Sequence, residues 1–327
     1  MSAQARPRSI MGINYGVTSE DLAGDLNFDQ LQHDPALNWR VEKRPLMDGQ
    51  GNPAGRMMGL FREDNDTFLG SVSAGYEVLQ NSKLLTLFQP LFEQGVLELD
   101  CAGTFRKNSR IFVIGRSLKA RPIEPIKGDE QLPYHMLYAG HDGGTAFRSV
   151  PFSCRLMCTN MMPGIFANAR RASNTEIRFV HRRGINQYLE TLQQMILSST
   201  ETLQGIERAL KLLSGVPVRN PAQEYRKLLN LPTLADRADY GTDEEFERAM
   251  DAGKHKVRWL MDSYAREAET TPNLALDSAY HWLNGVTRHV THDMPLKNGN
   301  SRMQRAIVGT GSSLVNRAMQ HALQIAA

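Results

Sequence analysis

Near residue 184 the spacing of apolar residues turns helical for the rest of the chain, and that change limits what it can fold into. From Gly184 onward Leu189, Leu192, Ile196, Leu203, Ile206, Leu210 and Leu213 recur in steps of three, four and seven. That rhythm keeps one face apolar on an amphipathic helix of about eight turns. Gly215 and Pro217 follow it as stop signals. "PAQEYRKLLN", "TDEEFERAMDAGKHKVRWLMDSYAREAE", "NLALDSAYHWLNGVTRHVTHD" and "SLVNRAMQHALQIAA" read as further helices.

The part before residue 184 has a different rhythm. "VLELDCAGTF" and "RIFVIGRSL" are strand-like runs joined by the polar turn "RKNS", which predicts a hairpin. "NWRVEKRPLM" reads as an edge strand, since Pro45 cannot donate to a ladder. "RMMGLFRED" and "FLGSVSAGYEVLQN" are strands about the acidic turn "REDND", and "YHMLYAG" and "TAFRSV" flank the tight turn "HDGG". Between them Leu84, Leu85, Phe88, Leu91 and Phe92 predict a helix over 82–94. Asn81 or Ser82 is its expected cap, Gly95 its end, and Pro90 is expected to bend or shorten it. The fold class is therefore α+β: a small antiparallel sheet with packed helices, followed by a mostly helical C-terminal half. The expected organisation is a flexible N-terminal arm (1–37), an α+β core that binds nucleic acid (38–183) and a helical region (184–327).

Composition narrows the setting. With 41% hydrophobic and 22% charged residues the chain matches ordinary globular proteins. No apolar run approaches the roughly 18 residues of a membrane span. The start "MSAQARPRSIMG" lacks an apolar stretch of the signal-peptide kind. Three cysteines do not make a disulfide framework, so a cytoplasmic location is expected.

Three motifs invite chemistry. Cys154 and Cys158 sit four apart in "SVPFSCRLMCTNMM". Zinc needs further ligands, and a redox pair is spaced C-x-x-C, so buried packing is the expected role. His141 and Asp142 in "AGHDGGTAF" could pair as acid and base, but Asp-Gly and Gly-Gly are turn residues. "AIVGTGSSLVNRA" resembles a phosphate-binding loop before a helix, but it lacks the lysine and the glycine spacing of nucleotide fingerprints. No catalytic residue, metal ligand or cofactor is assigned.

Charge gives the stronger signal. "ANARRASNTEIRFVHRRG" carries Arg170, Arg171, Arg178, Arg182 and Arg183 against one acid, Glu176. Arg148 and Arg155 lie just upstream, and Arg106, Lys107 and Arg110 sit around the hairpin turn. Guanidinium groups match phosphate oxygens in fork geometry, so these residues are the candidate nucleic-acid contacts. A third basic set includes Arg288, His289, Lys297, Arg302 and Arg305.

The stretches "GYEVLQNSKLLTLFQPLFEQG", "GTFRKNSRIFVIGRSL" and "HDGGTAFRSVPFSCRLMCTNMM", and more faintly "AYHWLNGVTRHVTHD", resemble a phage- and plasmid-borne family catalogued as a domain of unknown function. Arg155, Cys158 and Asn160 match its R-x-x-C-x-N pattern. That setting implies DNA metabolism. The order of a helix, three strands and further helices is similar to the core of Red-beta type single-strand annealing proteins and related recombination mediators. This likeness implies single-stranded DNA held in a basic groove, and homo-oligomeric rings or filaments working with phage or host recombination proteins. The expected function is single-stranded DNA binding and ATP-independent annealing in phage or plasmid recombination. The rivals are a metal-dependent nuclease or nucleotide-handling enzyme around His141 and Asp142, and a helical structural or regulatory partner protein.

Overall fold

The computed structural model describes residues 28–35, 37–105, 109–155, 177–179, 200–271, 274–295 and 310–327. It opens with a short helix, α1 (Phe28–His33), inside the segment read as a flexible arm. Leu31 and Leu37 are buried there against the helix that follows the first sheet, so α1 and Leu37 belong to the core rather than to an arm.

β1 (Val41–Met47), β2 (Pro53–Arg62) and β3 (Phe68–Ser73) form a three-stranded antiparallel sheet in chain order. Pro45 lies on its edge strand, where a missing N–H costs no ladder bond. One face buries Trp39, Val41, Leu60, Leu69 and Val72. Helix α2 (Asn81–Glu93) comes next. Its cap differs from the expectation. Gln80 holds the N-cap position, and neither Asn81 nor Ser82 caps the helix. Gln80 instead bonds Val41 through both its amide groups, while Asn81 Nδ2 donates to Leu37 O. The helix runs past Pro90 and ends before Gly95, whose φ is +62°.

The main sheet is an antiparallel meander of β4 (Leu97–Phe105), β5 (Arg110–Ser117), β6 (Gln131–Gly140), β7 (Phe147–Arg155) and β8 (Ile177–Phe179). Its middle strand β6 is buried at every residue. Alternation then divides the strands between two cores. Ile111, Val113, Leu137 and Ala139 pack on α2, with Leu84, Leu85, Phe88 and Leu91. Phe112, Ile114, Tyr134, Met136 and Phe152 face the C-terminal helices. Those helices are α3 (Thr200–Ser214), α4 (Pro221–Leu228), α5 (Asp243–Thr270), α6 (Ala279–Arg288) and α7 (Thr310–Ala326). A wide π-turn, His289–Asp293, extends α6.

The chain is thus α+β, with antiparallel sheets in its first half and mostly helices in its second. One core unites β5–β7 with Leu210, Tyr225, Leu260, Tyr280, Trp282 and Met319, so the division expected at 183/184 does not separate two cores. A buried polar bridge crosses the same interface. Ser153 Oγ donates to Gln131 Oε1 (2.7 Å), Gln131 Nε2 to Tyr280 Oη (2.8 Å), and Tyr280 Oη to Asp129. On α3, Ile206, Leu210 and Leu213 are buried as expected, while Leu189, Leu192 and Ile196 lie outside the described residues.

Candidate functional site

The register of the main sheet collects several chain reversals at one end. β4 leaves the sheet at Phe105 and β5 re-enters at Arg110, opposite Gly140 at the end of β6. The HDGG turn follows, and β7 starts at Phe147. β8 runs back along β7, so that Phe179 pairs with Phe147 and the chain departs at this same end. The Phe105–Arg110 pair, the HDGG turn and Phe179 therefore lie in a row.

Asp142 organises the turn. Its Oδ1 accepts from Gly144 N (3.1 Å) and Thr145 N (2.8 Å), and its Oδ2 from Thr145 Oγ1 (3.0 Å). Arg110 completes the set, with Nε and Nη2 both 2.7 Å from Asp142 Oδ2. Burial works against this carboxylate, but the bonds from Arg110 and Thr145 offset it and hold its pKa below the ordinary value. Beside it, burial and the Asp142 charge push the Tyr76 phenol upward. Tyr76 donates its hydroxyl to Gly140 O at 3.2 Å.

The turn is also pressed against β3. A Cβ on Gly70 would come 2.6 Å from the Asp142 backbone. Gly143 has φ +75°, and a Cβ there would fall inside contact distance of Ser71 O. His141 points inward, fully buried, with Trp39 edge-on to its ring. Its Nε2 lies 2.7 Å from Asn81 Oδ1. Because Asn81 Nδ2 donates to Leu37 O, Oδ1 is the acceptor and His141 Nε2 carries the proton. His141 and Asp142 thus serve different partners. A carboxylate of lowered pKa with five donor groups around it is a poor base. Among the described residues no group of three or more His, Cys, Asp or Glu is placed to hold a metal ion.

The expected nucleic-acid contacts divide. Arg110 is nearly buried in its ion pair, where it holds the base of the hairpin. Arg148 sits opposite Tyr138 and Arg178 in the ladder, with its guanidinium 5.9 Å from the Tyr138 ring centroid. Arg155 pairs with Gln131 at the far end of β7. Eight strand steps, about 27 Å, separate it from Phe147, so Arg155 does not join the others. Arg106, Lys107, Arg170, Arg171, Arg182 and Arg183 lie outside the described residues. Cys154 is on a strand rather than a helix and is buried beside Phe152 and Leu132; Cys158 is outside the described residues.

Sequence reasoning missed the clasp around the turn: Trp39, Gly70, Tyr76 and Asn81. Each lies 60 or more residues from its partner, and no local pattern marks it. Among the described residues no helix is long and apolar enough to cross a membrane.

No curated protein and no solved structure matches the chain. The model of a family described as "Domain of unknown function (DUF932)" matches residues 68–308, which takes in β3, α2, the main sheet and most of the helical layer. The protein belongs to this family.

Proposed function

We propose that the protein binds single-stranded DNA through phosphate contacts at the hairpin end of its main sheet and anneals complementary strands without ATP. One observation carries the reading. The register puts Phe105 and Arg110, which flank Arg106 and Lys107 in the sequence, at the same sheet end as Phe179, three residues before Arg182. Arg110 on β5 and Phe179 on β8 lie three strands apart, about 14 Å, and Arg148 on the intervening β7 is paired with Arg178 beside Phe179. In this reading Arg110 is support and not a contact, and Arg155 plays no part. Cations in a row neutralise phosphate repulsion while bases stay free to pair, which is what annealing requires. The mobile-element setting implied by the sequence resemblance makes phage or plasmid recombination the process served, and rings or filaments the assembly.

Titration of a labelled oligonucleotide over a range of salt tests this. Arg182→Gln with Arg183→Gln should weaken binding to all sequences alike, because phosphate contacts carry no base information. It should also flatten the log–log salt dependence by roughly 0.7 per lost contact. Unchanged affinity and slope would overturn the reading, as would failure of the unaltered protein to bind.

A further inference from the structure

Of the three tryptophans, Trp39 and Trp282 are buried, at 4% and 0% exposure, while Trp259 on α5 is 56% exposed. A helix does not leave an indole in water for the sake of its own stability, since so large an apolar surface gains most by burial. The surroundings of Trp259 are basic. His255 and Lys256 precede it by four and three residues, on the same helical face, and Arg258 adjoins it. All three are exposed, and none of them has an ion-pair partner among the described residues. Lys254, one step further back, is paired with Asp251 at 2.8 Å. The acid nearest the indole in sequence is Asp262, at i+3. It stands four residues beyond Arg258, a spacing that favours a pair, yet no bridge joins them. By contrast, Arg266, two turns further along α5, and Arg288, at the end of α6, are engaged: Arg266 with Asp293 at 2.9 Å, and Arg288 with Glu267 and Asp293.

We infer that Trp259, with Lys256, Arg258 and His255, is a second contact for single-stranded nucleic acid, where one base stacks on the indole and neighbouring phosphates meet the cations. The inference rests on the DNA-binding reading above but uses another surface, on the helical layer. The charge decides the occupant. An apolar protein partner would cover the indole but would have to strip water from Lys256 and Arg258 without replacing it. A nucleic-acid strand supplies a π face and anions at once. Every base offers such a face, so this contact is tolerant of sequence. It also requires single strands, because bases in a duplex are already stacked.

The exposed indole is its own reporter. In the full-length protein the fluorescence that acrylamide quenches comes mainly from Trp259. An oligo-dT strand should quench that fraction and shield it from acrylamide. Trp259→Leu should lower affinity for the strand by roughly 5- to 150-fold, the range for loss of one stacked base, and Trp259→Phe should restore most of it. Lys256→Gln with Arg258→Gln should reduce the salt slope by about 1.4. These side chains are exposed, so circular dichroism and the melting temperature should stay unchanged. If the unaltered protein binds oligo-dT by anisotropy but neither the indole signal nor Trp259→Leu responds, this contact is wrong and the DNA-binding reading stands. No binding by the unaltered protein overturns both. Equal quenching by polyglutamate would overturn the nucleic-acid assignment and mark a site for acidic peptides.

Discussion

Arg110 and Asp142 are bound by two guanidinium nitrogens on one carboxylate oxygen, each at 2.7 Å, and this pair ties the base of the β4–β5 hairpin to the HDGG turn. Both side chains are largely withdrawn from solvent, at 12% and 15% exposure. Removing one partner of such a pair strands the other charge. Arg110→Leu should therefore destabilise the fold by about 3 kcal/mol in urea denaturation, more than a surface arginine would. The folded pKa of Asp142 is lowered from 3.8. Its stabilisation is thus complete above about pH 4 and is lost as pH falls through the lower folded value. Asp142→Asn should remove that acid-side dependence.

The glycines of the turn make a sharper test, because the structure distinguishes them. Gly143→Ala adds a Cβ at positive φ and against Ser71 O, and should cost about 2 kcal/mol or more. Gly70→Ala meets the Asp142 backbone and should behave alike. Gly144→Ala has no atom within 4 Å of its new Cβ and should stay within about 0.5 kcal/mol of the parent. Equal effects at all three positions would contradict the packing of this turn on β3.

His135 lies buried on β6, and burial lowers its pKa from 6.5 to about 4. Between those values the unfolded chain binds a proton that the folded chain refuses. Stability from this residue is therefore full above pH 6.5 and declines by about 1.4 kcal/mol per pH unit toward pH 4, about 3 kcal/mol in all. His289 is lowered in the same direction, chiefly by burial. His135→Gln should remove most of the slope of unfolding free energy between pH 7 and pH 4.5. A variant with the parental slope would show that this imidazole titrates normally.

The shared core predicts how the chain unfolds. Because β5–β7 and the C-terminal helices bury their apolar faces in each other, both should melt in one transition. Tyr280→Phe removes the hydroxyl at the centre of the Gln131 and Asp129 bridge and should cost about 1–3 kcal/mol without splitting that transition. Separate transitions for sheet and helices, followed by hydrogen exchange, would show two independent units.

Cys154→Ser places a hydroxyl at a site of 1% exposure beside Phe152 and Leu132, and should cost about 1–3 kcal/mol. Made together with Cys158→Ser, it should leave oligonucleotide binding unchanged. Stoichiometric zinc in the parent, lost from the double variant, would assign these cysteines to a metal instead.

What the sequence determined by itself is the local periodicity and its punctuation. The apolar run in "RIFVIGRSL" and the spacing of Ile206, Leu210 and Leu213 depend on neighbours within one or two turns, so these strands and helices could be read locally, although the strand read over "FLGSVSAGYEVLQN" ends at Ser73. Pro45 on an edge strand and Gly95 after α2 follow from backbone chemistry that belongs to the residue alone. Tertiary structure decided where the polar side chains went. Asn81 had the chemistry of a helix cap, but Leu37 O and His141 claimed its amide. Arg110 and Arg155 looked alike in the sequence, as two basic residues of the strand-rich half. The sheet register buried the first against Asp142 and carried the second to the opposite end. The indole of Trp259 could be read as one more apolar helical residue until the packing of α5 turned Val257, Leu260 and Tyr264 inward and left it in water. Apolar patterns are set by chain neighbours, whereas the fate of a charge or an indole is set by what the fold brings within a few ångströms of it.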